Sequence, residues 1–308
     1  MDNCIIEFSK KNMNLAVIGK NSVGKTFFLN TIRQYLDIVV NNHVNALDSW
    51  LLEYEDLINK KLRLEKQLKI AESRSTINLI NMQYKITTVS LQELDSKIKL
   101  YRAHEIYCKF NNPELVYKLF SRYHMLISYF TENRSFSQDL EQENKSYQNF
   151  IHYITEIKKQ SLKSSNIDDS RQVAILAKQQ MWLQSVEDCL NDIVNDYNLQ
   201  LQWHDNQFTL FNTKNNMQMS LLELSKGHRA ILAIISILID QARLINLSVH
   251  SLKGIVLIDE VELHLDLNLQ EKILPCLFKI FSNIQFIVTT HNCTVLKNIN
   301  NFQKIELV

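Results

Sequence analysis

The chain has 308 residues, 45% of them hydrophobic and 22% charged, with a net charge of +1. That balance excludes an intrinsically disordered chain, and the charge gives no argument for a polyanionic partner while leaving room for a local basic patch. Four glycines and two prolines argue against a turn-rich β-sandwich and for long helices.

The length suits one large domain or two smaller ones. Cys4, Cys108, Cys189, Cys276 and Cys293 form no C-x-x-C pair, so reduced thiols are expected rather than a zinc site or a disulfide framework. No charged-then-apolar leader opens the chain. The longest apolar run, 230–239, is too short for a membrane span. A soluble cytoplasmic protein without a membrane partner is the expectation.

In chain order, 4–8 and 15–18 read as short strands, the second buried. Residues 26–40 read as a helix with apolar positions at Phe28, Leu29, Ile32, Tyr35 and Leu36. From 46 to 165 the composition changes to Lys, Glu, Gln, Leu and Ile, with no glycine and one proline, Pro113. Leu57, Leu64 and Leu68, then Leu91, Leu94, Ile98 and Tyr101, keep helical spacing. An all-α insertion with an antiparallel helical hairpin is expected, its arms at most about 75 Å long. Residues 163–166 read as a loop and 168–197 as a helix. A β-hairpin follows at 199–203 and 208–211, then a helix over 224–239. A buried strand at 254–258 ends in Asp259-Glu260. A helix over 268–281 contains Pro275, where a kink is expected, and a buried strand at 285–289 delivers His291. Strands alternating with helices at both ends of the chain predict α/β architecture around a parallel sheet. The expected domains are 1–45 and 166–308, forming one head, with 46–165 inserted.

Three of the four glycines fall in motifs. Gly19 to Thr26 matches G-x-x-x-x-G-K-T completely. After a buried strand and before a helix, the backbone N–H groups of Asn21, Ser22, Val23, Gly24, Lys25 and Thr26 can cradle a β-phosphate. Lys25 would reach the β- and γ-phosphates, and the Thr26 hydroxyl would bind Mg2+. At 255–260 an apolar strand ends in two carboxylates. Asp259 suits the Mg2+ shell and Glu260 suits a general base toward water, although alone the pattern also fits a plain strand and acidic turn. In Leu224-Ser225-Lys226-Gly227-His228-Arg229, Ser225 and Gly227 open an apolar helix as an anion site. Ser225 is equally a good helix cap. His291, after Thr289-Thr290, can face a γ-phosphate or be structural.

The order of these four motifs resembles the head of ABC-type ATPases. The long helical insertion and the run Asp259-Glu260-Val261-Glu262-Leu263-His264-Leu265-Asp266 look like the SMC, RecF and OLD branch. The resemblance covers about 1–45 and 195–308. It implies a P-loop ATPase head that uses ATP and Mg2+ across a head-to-tail homodimer, or a higher even-numbered oligomer. In that arrangement Ser225 and Gly227 meet ATP held by the other subunit, Asp266 crosses the interface, and His291 is the switch histidine. It further implies a bacterial anti-phage or toxin-control ATPase acting on a toxin or nuclease effector. The alternatives are a DNA-repair ATPase, with DNA as partner, and a non-catalytic nucleotide-dependent scaffold. Val261 stands where the family usually has proline. The stretch before Gly19 is short, so a reduced N-terminal antiparallel sheet is expected. Neither a Q-loop glutamine nor an adenine-stacking aromatic is identified. Asn212-Thr213-Lys214-Asn215 lacks the aspartate of a guanine-reading N-K-x-D, so ATP is the expected nucleotide.

Overall fold

A computed structural model describes residues 14–41, 47–71, 73–107, 112–122, 124–131, 140–163, 170–195, 198–219, 223–245, 248–297, 299 and 302–307. They fall into two compact units: Met1–Leu29 with Tyr123–Val308, and Asn30–Arg122. The expected strand at 4–8, the reduced N-terminal sheet, Cys4 and Cys108 lie outside the described residues.

The larger unit is organised by a sheet of β1 (Asn14–Gly19), β2 (Leu126–Phe130), β6 (Gly254–Ile258), β7 (Ile284–Thr290) and β8 (Phe302–Leu307), in the order β2-β6-β7-β1-β8. Every neighbouring pair is parallel. β6 is buried along its whole length and β7 at all but one residue, as expected for strands covered on both faces. The buried Asn14 side chain accepts from Phe286 N–H at 2.8 Å, tying the start of β1 to β7. Helices α5 (Leu140–Lys163), α6 (Ser170–Asn195), α7 (Lys226–Leu244) and α8 (Leu267–Ile280) belong to the same unit. α7 is buried almost all round, with Ile231, Ile234, Ile235, Leu238 and Ile239 fully enclosed. Each such side chain stabilises the fold by about 1.5–3 kcal/mol. Trp182 donates its ring N–H to the Ile280 carbonyl at 3.0 Å, joining α6 to the end of α8.

A smaller antiparallel sheet holds β3 (Leu199–His204), β4 (Gln207–Asn212) and β5 (Met217–Met219). Asp205 and Asn206 turn the first hairpin at φ 49° and 61°, the left-handed pair a two-residue hairpin requires. The hairpin expected from the alternating pattern is therefore present, with a third strand added.

In the smaller unit, α2 (Leu47–Ile70) and α3 (Arg74–Tyr107) form an antiparallel hairpin. Trp50 meets the Tyr101 ring edge-on at 6.1 Å, and Tyr84 donates to Glu65 at 3.0 Å. As one sequence position climbs the other falls, which is the antiparallel register. Helices of 24 and 34 residues span about 36 and 51 Å at 1.5 Å per residue, well under the expected limit. α4 (Pro113–Ser121) follows, capped by the Asn112 side chain, which accepts from Leu115 N–H at 3.0 Å. α1 (Lys25–Val40) starts in the larger unit and its later turns belong to the smaller.

The insertion is shorter than the 46–165 read from composition. β2 pairs with β6 over its full length, and α5 packs on α7, so β2 and α5 belong to the larger unit rather than to the insertion. Leu-Ile-Ser-Tyr-Phe alternates buried and half-buried positions. A five-residue strand at the sheet's edge needs only one partner, and here it lies hidden between two helical stretches. β8 was likewise not expected, since Phe302–Leu307 alternates only weakly. Among the described residues Cys189, Cys276 and Cys293 are free thiols, and no helix is long and apolar enough to cross a membrane.

Candidate functional site

In a parallel sheet all carboxyl ends lie on one edge, and that edge is where α/β ligands bind. The register fixes what meets there. Ile18 of β1 stands opposite Thr290 of β7, and Ile258 of β6 opposite Val288 of β7. The chain therefore leaves β1 at Gly19 level with His291, and leaves β6 at Asp259 level with Thr289. Three of the four expected motifs converge by strand pairing alone, with β7 between the other two.

The loop after β1 turns through Ser22 at φ 69° and Gly24 at φ 97°. Glycine takes the second value without the strain a side chain would bring. α1 then begins at Lys25, and Phe28 N–H donates to Gly24 O at 2.9 Å. Left-handed residues at such a turn, followed by the N–H groups at a helix start, form a concavity suited to an anion. Gly19 is required for another reason. A Cβ there would lie 2.7 Å from Val23 Cγ2 and 2.8 Å from the Leu307 carbonyl, so β8 and the loop itself demand glycine. Lys25 is buried, and its ammonium donates to the Gly19 and Lys20 carbonyls, each at 2.8 Å. The charge is thus folded against the loop's own backbone. Asn21, Ser22 and Thr26 are exposed and Val23 is half-buried.

At the end of β6, Asp259 is 1% exposed. Its Oδ1 accepts from the Thr289 hydroxyl at 2.5 Å, and the same hydroxyl oxygen accepts from Glu260 N–H at 2.8 Å. Thr289 therefore orients both candidate carboxylate residues at once. Glu260 sits at φ 45°, a conformation rare for a residue with a long side chain and found disproportionately at functional positions. Val261 N–H donates to Thr289 O at 3.0 Å, extending the hold of β7 on this turn. Thr289→Val keeps the shape and removes both bonds. Losing a hydroxyl donor from a buried carboxylate should lower stability by about 1.5–3 kcal/mol, read as a fall in the denaturation midpoint, while nucleotide affinity changes less than turnover.

Glu262 and His291 form a third contact. His291 N–H and His291 Nδ1 both lie 2.6 Å from Glu262 Oε1. Beside it, Gln270 donates to Leu265 O at 2.9 Å and accepts from the Asn292 side chain at 2.7 Å. Two strand-end loops are thus clasped together. Asp266 caps α8, its carboxylate accepting from Leu269 N–H at 3.0 Å.

The segment at 225–229 opens α7. Ser225 is its N-cap, as the plainer reading held, and its Oγ lies 2.6 Å from His228 Nδ1. Burial pushes the His228 imidazole below its usual range, against the opposing pull of the Ile193 carbonyl and the Asp266 carboxylate. Gly227 faces protein rather than open space. A Cβ would meet Leu269 Cδ1 at 2.8 Å and His264 O at 3.0 Å, so this glycine lets α7 pack on the turn after β6. Among the described residues the side-chain contacts of Ser225 run to His228, and its carbonyl accepts from Arg229 N–H at 3.0 Å. Thr289, Glu262, Gln270 and His228 are not among the site residues expected from the sequence, where Thr289, Glu262 and His228 stand only as neighbours in the T-T-H, D-E-V-E and S-K-G-H-R runs.

A parallel sheet whose first strand feeds a G-x-x-x-x-G-K-T loop and helix, with a buried aspartate closing the next strand but one, defines a P-loop ATPase head. Residues 15–297 match the family described as "AAA domain, putative AbiEii toxin, Type IV TA system", and the chain belongs to that family. Over 123 residues it is 43% identical to the "Retron Ec83 probable ATPase" of Escherichia coli, a match covering 39% of this chain and 22% of that protein. Over 93 residues it is 37% identical to the "Retron Vc95 probable ATPase" of Vibrio cholerae serotype O1 biovar El Tor, covering 29% and 18%. These matches span about a fifth of each curated relative. The crystal structure of the Smc head domain with an extended coiled coil, bound to the C-terminal domain of ScpA and derived from Pyrococcus furiosus, aligns over 95% of this chain and 59% of its own. The TM-score is 0.27 and the identity 9%. At that level the likeness carries no argument, and the fold rests on strand order and register.

Proposed function

We propose that the head binds ATP and hydrolyses it across a head-to-tail pair of chains, and that the cycle controls a partner protein. The observation that carries the reading is the convergence of Gly19–Thr26, Asp259-Glu260 and His291 on one sheet edge. The donor set fits a nucleotide and its magnesium ion: backbone N–H groups and one ammonium for the phosphates, and only oxygen groups, Thr26 and Asp259, for Mg2+. When bound, Mg2+ neutralises charge on the phosphates. Lys25 exchanges two neutral carbonyls for anionic oxygens, which make stronger hydrogen bonds. Glu260 takes a proton from the attacking water, and its backbone N–H is already fixed by Thr289. His291 meets the γ-phosphate.

Ser225 and Gly227 act on nucleotide held by the second chain, and Asp266 lies at that junction. Gly227 packs on the turn between 264 and 269, Asp266 lies within that turn, and Ser225 caps the helix that carries Gly227. The names of the two relatives, each a retron "probable ATPase", and the toxin-system description of the family support a bacterial defence or toxin-control role, with a toxin or nuclease as the controlled partner. No observation favours DNA repair or a non-catalytic scaffold over it.

The test mixes two inactive variants. Lys25→Ala and Ser225→Arg should each fail to hydrolyse ATP alone. In a mixed dimer one composite site carries both lesions and the other carries none, so phosphate release should return to a substantial fraction of the wild-type rate. If mixed dimers are shown to form and no ratio restores activity, the composite site is wrong.

A further inference from the structure

We infer that Glu262 is a positioning residue for His291, holding the ring in the one orientation and tautomer that leaves Nε2 for the phosphate. The inference rests on the reading of His291 given above and goes beyond it, because it assigns the second glutamate of the D-E-V-E run.

Glu262 lies two residues beyond Glu260, in a turn whose backbone is fixed on both sides. Leu263 N–H donates to Glu260 O at 2.9 Å and Leu265 N–H to Glu262 O at 3.0 Å. Its side chain is only 3% exposed, whereas that of His291 is 48% exposed. A buried carboxylate is costly unless it is paired and hydrogen-bonded. Here one oxygen, Oε1, takes both bonds, from His291 N–H and from the ring at Nδ1, each at 2.6 Å. Among the described residues Oε2 makes no hydrogen bond. The two contacts of Oε1 grip the backbone and the ring of one residue together.

A carboxylate only accepts, so the nitrogen facing it is Nδ1–H. The bond made by one ring nitrogen sets the role of the other, and Nε2 is left as the nitrogen that meets a ligand. Gln270 holds the next residue of the same loop, accepting from the Asn292 side chain at 2.7 Å. Two anchors on one oxygen fix two things at once: where the loop leaves β7, and which way the ring turns.

The test is a double-mutant cycle in the 308-residue chain, made of Glu262→Gln, His291→Ala and the pair. A carboxylate that orients a metal-ligating histidine is worth about 10–100-fold, and the same order is expected where the histidine meets a phosphate. Glu262→Gln should therefore lower kcat by about that factor with KM nearly unchanged. In the His291→Ala background it should cost nothing more, since the ring it positions is gone. His291→Ala keeps the backbone N–H bond to Glu262, so that background should fold. Melting by circular dichroism on the same samples checks this, and if Glu262→Gln does not fold, Glu262→Asp replaces it in the cycle with the same expected non-additivity. If His291→Ala is slow but the glutamate substitution adds its full effect on top, the inference fails alone. If His291→Ala hydrolyses ATP at the wild-type rate, the role given to His291 fails first and the inference falls with it.

Discussion

Lys25→Ala is expected to reduce ATP affinity below what calorimetry can detect. The ammonium is held at the start of its own loop by two bonds of 2.8 Å to neutral carbonyls, which it exchanges for bonds to anionic phosphate oxygens. Two hydrogen bonds from a charged donor are worth about 1.5–3 kcal/mol each, which compounds to about 10²–10⁴ in the dissociation constant. The variant loses the two bonds from the ammonium to the loop carbonyls but keeps Gly24 at φ 97° and glycine at position 19, so the turn itself should survive, which circular dichroism on the same sample checks. Normal affinity in this variant would remove the P-loop from the account.

Glu260→Gln is expected to bind ATP normally and to hydrolyse it about 10²–10⁴-fold more slowly, the usual loss of a general base. The substitution leaves the Thr289 bond to the backbone N–H of residue 260 in place, so the turn should hold its geometry. Slow turnover should trap the ATP-bound form, visible as a dimer on a sizing column. Unchanged turnover would move the base elsewhere on the edge.

Much of the site was legible because strand chemistry and loop chemistry agree. Ile255 to Ile258 is a short apolar run rich in β-branched residues that reads as a buried strand, and whatever follows such a strand emerges at the sheet edge. G-x-x-x-x-G-K-T needs a strand before it and a helix after it, and both are present. The domain boundary was less legible. Leu126–Phe130 is five residues long and lies between helices, so nothing local to it says that its partner is β6, more than a hundred residues later. The reason for each glycine was also partly hidden. Gly24 serves backbone conformation, as the composition suggested, but Gly19 and Gly227 serve close packing against β8 and against the turn at 264–269. Such contacts depend on tertiary neighbours that no window of sequence contains. Glu262 was hidden for the same reason, since its partner lies 29 residues away and only the pairing of β6 with β7 brings the two together.

Phosphate release from ATP by the 308-residue chain, with and without Mg2+, tests the central claim most directly, with Glu260→Gln run alongside as the blank for contaminating activity. The account predicts steady release that depends on Mg2+, stops on chelation and is nearly absent from the blank. Release equal in the two proteins, or a chain that binds ATP and never releases phosphate, would contradict it.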